Sequence, residues 1–403
     1  MARSAISVGC CIAGGGPAGL MAGFLLARAG VDVLVLEKHA DFLRDFRGDT
    51  IHPSTLEVMH ELGLLEEFLK LPHEKVSALI GQFGDETFEF ANFSKLPVHA
   101  PYIAMMPQWD FLNFLAEHAG KLPAFKLRMR TSATSLIEVG GTITGLEASG
   151  PDGPLEIRAR LVIGADGRHS TVRAQAGLAV EEFGAPMDVL WFRISRVTSD
   201  PVESTGRFLP GRIFVRINRG DYWQCAYVIP KGAIASVRAA GLEAFRGNIA
   251  RAAPFLANRT GEIKSWDDAK LLTVSVDRLR RWYRPGLLCI GDAAHAMSPI
   301  GGVGINLAVQ DGVASANLLA GPLVAGRLAT ADLAAVQARR EWPAHMTQRL
   351  QLFLQNRVIR PTLSEQSAVK PPGFLRVMTS IPLLRRIPGR LIGLGLRPEH
   401  VRV

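Results

Sequence analysis

The sequence predicts an α/β fold: a parallel sheet covered by helices, interrupted by a sheet-rich insertion and followed by a helical segment. Three observations carry this prediction. An apolar run ends in a glycine-rich turn at Gly14–Gly19, and a helix-like run, a second apolar run and an acid follow. Two further glycine-rich turns, beginning at Gly164 and Gly291, also follow short apolar runs. Between those two, Val180 to Ile229 is rich in β-branched and aromatic residues and broken by turn signals.

The N-terminal elements follow from their residues. Ile6 to Ala13 reads as a buried strand, with Cys10 and Cys11 inside it. Gly14-Gly15-Gly16-Pro17-Ala18-Gly19 turns it into a helix running to about Ala29. Gly14 permits the tight turn, Gly16 lets backbone approach a pyrophosphate, and Gly19 lets helix and strand pack closely. The helix start offers free N–H groups and a positive dipole end to phosphates. Val31 to Leu36 is the second strand. Glu37 follows it, 18 residues past Gly19, where a ribose-binding carboxylate belongs, with Lys38 beside it. This is a Rossmann-type nucleotide-binding unit. The charge-free stretch from Ile6 to Ala27 imitates a signal peptide or membrane span, but its internal glycines and Pro17 suit a strand–turn–helix better.

Further along, helices are expected over Pro53–Leu62, Trp109–Gly120, Arg238–Arg251, Gly302–Gly326 and Thr330–Val358, the last despite Pro343. Leu127 to Ile157 reads as a three-stranded meander turning at Gly140-Gly141 and Pro151-Asp152-Gly153. Leu161–Gly164 and Leu287–Gly291 read as buried strands. The implied organisation is a discontinuous nucleotide-binding domain (1–75, 101–180 and 270–330), a substrate domain (76–100 and 181–269) and a basic helical tail (331–403). A cleft at the join of the two domains is where a ligand pocket belongs.

The chain has 403 residues, 48% of them hydrophobic, enough for a large core. Its four cysteines show no metal-site or disulfide spacing, which points to a reducing, cytoplasmic compartment. The net charge is +9, and residues 331–403 carry twelve basic against four acidic groups. The surplus therefore belongs to the tail, and with no recognised nucleic-acid module the sequence argues against a nucleic-acid partner.

The second glycine-rich stretch is Gly164-Ala165-Asp166-Gly167-Arg168-His169-Ser170-Thr171-Val172-Arg173. The third is Gly291-Asp292-Ala293-Ala294-His295, continued by Pro299-Ile300-Gly301-Gly302-Val303-Gly304-Ile305. With these in order, residues 5–330 resemble the class A FAD-dependent monooxygenases, the p-hydroxybenzoate hydroxylase and phenol hydroxylase type. The resemblance implies FAD as cofactor, with the diphosphate on Gly14–Gly19 and Glu37 on the adenosine ribose. It also implies that Asp166 and Gly167 assist FAD and the pyridine nucleotide, and that Asp292 binds the ribityl chain. Pro299, Gly302, Gly304 and Ile305 then border the flavin, and Arg47 and Gln108 match further FAD-binding positions. A helix start bared by Gly302 and Gly304 would also stabilise the negative edge of a reduced flavin.

The resemblance further implies the activity. NADH or NADPH visits transiently, since a second dinucleotide fingerprint is absent. O2 then gives a flavin C4a-hydroperoxide that hydroxylates a small aromatic or quinol-like molecule. Trp191, Phe192, Phe208, Phe214, Tyr222 and Tyr227 are candidates to line the pocket, and Phe192, Phe214, Tyr222 and Tyr227 are taken as the substrate set. His52 and His295 are the candidates for proton transfer. Two alternatives share the cofactor fold. A prenyl-lipid-type reductase would act without oxygen. A halogenase would show Trp-x-Trp-x-Ile-Pro, where this chain has Cys225-Ala226-Tyr227-Val228-Ile229-Pro230. In the tail, Ile381–Leu394 mixes arginines with large apolar residues. It is too short to span a bilayer, and is expected either to pack on the body or to lie peripherally on an anionic membrane.

Overall fold

A computed structural model describes residues 4–43, 50–84, 86–364, 370–373, 376 and 382–403. Five parallel strands form the central sheet, in the order Leu287–Cys289, Gly153–Gly164, Ser4–Ala13, Val33–Leu36 and Phe125–Arg128. The first strand carries no charge, and Cys10, Cys11 and Ile12 are fully buried. Such strands need cover on both faces. The helices Pro17–Arg28 and Gly304–Val324 pack on one another in that cover. They meet at Gly312, where an added Cβ would stand 2.9 Å from the Ala18 carbonyl oxygen.

The meander and the buried strand expected separately are continuous. Gly153–Gly164 is one strand. Its first half pairs antiparallel with Thr142–Gly150, and from Leu155 to Gly164 it runs parallel to Ser4–Ala13.

A second sheet of seven strands runs in the order Lys270–Leu272, Met187–Ser195, Tyr222–Pro230, Arg212–Asn218, Thr205–Leu209, Ala78–Phe83 and Glu86–Asn92. Side chains alternate between its two faces. Leu190, Phe192, Ile194, Phe214, Cys225 and Tyr227 pack outward on the helix Leu242–Ala252 through Phe245. Val189, Trp191, Ile213, Val215, Ala226 and Val228 pack inward, against Ile359 and Leu363 of the C-terminal helices and, at the margin, Ile300 of the third glycine turn.

Two helices differ from expectation. Arg238–Arg251 is split into Ile234–Ala239 and Leu242–Ala252, because Gly241 takes φ +90°. The long helix holds its α form from Thr330 to Leu354 through Pro343, then widens into a π turn over Gln355–Ile359. The missing Pro343 N–H costs one bond, and Pro343 O still accepts from Thr347 Oγ1 at 2.8 Å.

The tail helix Pro382–Gly393 lies on the strand Glu86–Asn92. Ile392 packs inward and Ile387 is 53% exposed. Among the described residues no helix is long and apolar enough to cross a membrane. A Cβ added at Gly389 would stand 2.0 Å from the Asn92 carbonyl oxygen. Gly389→Ala is therefore expected to lift this helix from the sheet at a cost of about 1–3 kcal/mol. Denaturant melts would show the loss, and limited proteolysis would cut the variant within Pro382–Gly393 sooner than the wild type.

Candidate flavin site

The three glycine turns lie side by side because their strands end level. Ala13 pairs with Gly164, and Gly164 with Cys289. Ala165 N–H donates to Ala13 O at 2.7 Å, and Ile290 N–H to Gly164 O at 2.9 Å. Ligands of open α/β sheets bind at this carboxyl edge.

The glycines of the first turn divide their work. An added Cβ would stand 2.3 Å from Ala165 O at Gly14 and 2.0 Å from Gly14 O at Gly19. Those two glycines serve the chain's own packing. At Gly16 an added Cβ meets nothing within 4 Å. That bare backbone, at the start of Pro17–Arg28 with no acid in its first turn, fits a diphosphate. Glu37 closes the turn: its Oε2 accepts from Gly15 N–H at 3.1 Å, and its Oε1 from His39 N–H at 3.0 Å. Lys38 is exposed, and Gln108 is half-buried as the first residue of Gln108–Gly120. Arg47 lies outside the described residues.

The second turn braces the third. Asp166 Oδ1 accepts from Ser170 Oγ at 2.5 Å and Oδ2 from Val172 N–H at 3.2 Å, while Gly167 takes φ +85°. Arg168 Nε donates to Asp292 Oδ2 at 3.1 Å, and Arg173 Nη1 reaches Asp277 Oδ1 at 3.3 Å and Ala293 O at 3.4 Å. Arg168 Nη1 is buried and has no protein partner, an orphaned donor at the edge where a flavin would lie.

In the third turn the glycines again differ. Gly302 takes φ +64° and admits Thr50, whose Oγ1 donates to Gly302 O at 2.8 Å. Gly304 has open space where a Cβ would be, at the start of Gly304–Val324, and Pro299 and Ile305 flank the turn. Bare backbone at two helix starts, two acids at opposite ends and an unpaired guanidinium nitrogen suit FAD. Glu37 and Gly16 would hold the adenosine half, and Asp292 and Gly304 the flavin half.

Several expected residues stand elsewhere. Phe192, Phe214 and Tyr227 are outward-facing core: Phe245 lies 5.5 Å from Phe192 and 5.2 Å from Tyr227, ring to ring. Strand alternation separates them from the inner face. Tyr222 shares the parity of inward Ala226, but four residues along, under the Arg193 guanidinium at 4.9 Å. Trp191 and Phe208 are the large aromatics of the inner face; Phe208 is stacked on Phe83 at 4.3 Å, whereas the Trp191 indole N–H is buried without a partner.

Both histidines are buried with one ring nitrogen held by the protein, while His52 Nε2 and His295 Nδ1 have no protein partner. His52 is fully buried and its Nδ1–H donates to Ile392 O at 2.8 Å. Burial pushes its imidazole down to about 4, against the pull of the Ile392 and Gly302 carbonyls. His295 is 1% exposed and donates from Nε2 to Asp311 Oδ2 at 2.6 Å. Asp311 itself was not foreseen, nor were Arg168 and Arg340.

Fold and site together define a flavin-binding oxidoreductase. The FAD binding domain family matches residues 7–349, and the chain belongs to it. It is an FAD-dependent monooxygenase of the class A flavoprotein type. It is 32% identical over 386 residues to 6-methylpretetramide 4-monooxygenase of Streptomyces rimosus, covering 94% of this chain and 91% of that one. It is 31% identical to the rifampicin monooxygenase of Streptomyces venezuelae, over 74% of this chain and 61% of that one. The anhydrotetracycline hydroxylase structure from Streptomyces rimosus superposes with a TM-score of 0.75 at 24% identity, covering 96% of this chain and 76% of that one.

Two predictions follow from this geometry. Gly16→Val is expected to keep the apo fold and lower FAD affinity roughly a hundredfold by blocking phosphate from the backbone. Gly19→Val is expected to yield no folded protein; circular dichroism and flavin fluorescence titration separate the two. For His52, the unfolded imidazole takes its proton near 6.5 and the folded one near 4. Its contribution is therefore full above the first value and lost as pH falls between them, by about 3 kcal/mol. Melts of wild type and His52→Asn at pH 7 and pH 4.5 should show a smaller acid loss in the variant.

Proposed function

We propose that the protein hydroxylates an electron-rich aromatic or quinol-like small molecule, using NADH or NADPH and O2, with the substrate held between the flavin edge and the inward sheet face. The observation that carries this reading is the apolar inward face, Val189, Trp191, Ile213, Val215, Ala226 and Val228, whose margin meets Ile300 of the third glycine turn. When bound, FAD supplies the redox chemistry. The chain supplies placement and dryness. The inward face excludes water that would divert the reaction to peroxide. Trp191 Nε1–H has no protein acceptor and can orient a substrate oxygen. The relative matched over most of both chains, named for action on 6-methylpretetramide, supports a ring substrate.

The cofactor-binding set, the two-domain division and a cytoplasmic setting belong to the same proposal. All four cysteines are buried and free, which suits a reducing compartment. Among the described side chains of Pro382–Gly393, a peripheral membrane contact would use the exposed Arg386, Ile387 and Arg390. The inward packing of Ile392 and the fit of Gly389 on Asn92 support the packed reading instead.

A panel of phenols and fused-ring quinols should include at least one compound that speeds NAD(P)H oxidation about tenfold or more, because reduction without substrate wastes reductant. Labelled O2 should enter the product. Trp191→Phe should raise KM for that substrate severalfold, consistent with one lost hydrogen bond. Product formed equally well without O2 would replace the monooxygenase by a reductase.

A further inference from the structure

Asp311 sits in the middle of the apolar helix Gly304–Val324 with no solvent exposure. A buried carboxylate is costly unless fully paired. Three donors satisfy it: Gly291 N–H at 3.0 Å, His295 Nε2–H at 2.6 Å and Arg340 Nε–H at 3.0 Å. Gly291 immediately precedes Asp292 and takes φ +60°, so its N–H direction sets how the Asp292 turn leaves the sheet.

Arg340 is 1% exposed and reaches onward. Its Nη1 donates to Arg397 O at 3.1 Å and Glu399 Oε1 at 3.3 Å. Glu399 is buried, also accepts from Arg339 Nε at 2.6 Å, and returns its own N–H to Gln310 Oε1 at 3.2 Å, next to Asp311. Residues 397–399 are thus wired to the Gly291 turn through one guanidinium and one carboxylate.

We propose that Arg340 and Glu399 are positioning residues for the flavin half of the FAD site. They act through Asp311: Glu399 fixes the Arg340 fork, Arg340 fixes the carboxylate, and the carboxylate fixes the Gly291–Asp292 turn. In the adenosine half, Glu37 accepts from Gly15 and His39 N–H and Gly14 N–H donates to Leu36 O, so the hydrogen bonds that shape this turn come from its own neighbouring segments and not from Asp311, Arg340 or Glu399. The two halves of the site are therefore separable by mutation. This inference rests on the FAD reading.

The test uses full-length apoprotein titrated with FAD, followed by flavin fluorescence, and with ADP, followed by calorimetry. Glu399→Gln is expected to raise the FAD dissociation constant about tenfold while ADP changes by less than about twofold, and Glu399→Asp to recover part of the loss. The visible circular dichroism of bound flavin should change in Glu399→Gln, because the ring's seat has moved. Arg340→Lys keeps the charge but loses the fork, and should give the same pattern if Glu399→Gln does not fold. FAD affinity unchanged in both variants, or FAD and ADP weakened alike, overturns the proposal. A wild-type protein that binds ADP but no FAD overturns the flavin reading itself.

Discussion

The level ending of three neighbouring parallel strands is the constraint from which the site descends. Ala13, Gly164 and Cys289 stand in register, and each is followed at once by a glycine turn. A slip of one residue in the first pairing would move Gly14 off Ala165 and lose the backbone bond between Ala165 and Ala13; a slip in the second would lose the bond from Ile290 N–H to Gly164 O. Residues far apart in sequence become one surface by this means alone. No side-chain contact could substitute, because the open edge at Gly16 and Gly304 is bare backbone.

Charge is arranged in two layers behind that surface. Nearest the edge, Arg168 and Asp292 are paired but partly open, so either can re-pair with a ligand. Deeper, Asp311, Arg340 and Glu399 are sealed and fully satisfied. Burial would push the Asp311 carboxyl up, yet His295 and Arg340 outweigh it and hold it below the usual range. Such a buried set adds little net stability over an apolar core, but removing one member leaves an uncompensated ion. Its worth lies in fixing one geometry.

Much of the fold was legible because glycine, strand and acid occur in an order that few other structures require. The first turn could be read position by position, down to the difference between Gly16 and its neighbours. Site chemistry was less legible. Phe192 and Trp191 are adjacent, so composition marks both, and strand parity decides which faces inward; it could not be fixed until the sheet's covered side was known. His52 stands five residues past Arg47 and His295 lies within the third glycine stretch, but neither position in sequence reveals that Ile392 O and Asp311 bind them. Asp311 did leave a signal. A lone acid deep in an apolar helix must have a buried partner, although Arg340 lies 29 residues away and no spacing rule reaches it.

The strand Gly153–Gly164 belongs to two pairing regimes, and this bears on the order of assembly. Its antiparallel partner, Thr142–Gly150, is separated from it by a tight turn and pairs in turn with Ser132–Val139, so that meander closes with little loop entropy. Its parallel partners, Ser4–Ala13 and Leu287–Cys289, must come from more than a hundred residues away on either side. Local pairing is the faster event. The meander thus presents Leu161–Gly164 as a ready edge on which the two distant strands dock, and the ligand edge is completed last, when the more distant of them arrives.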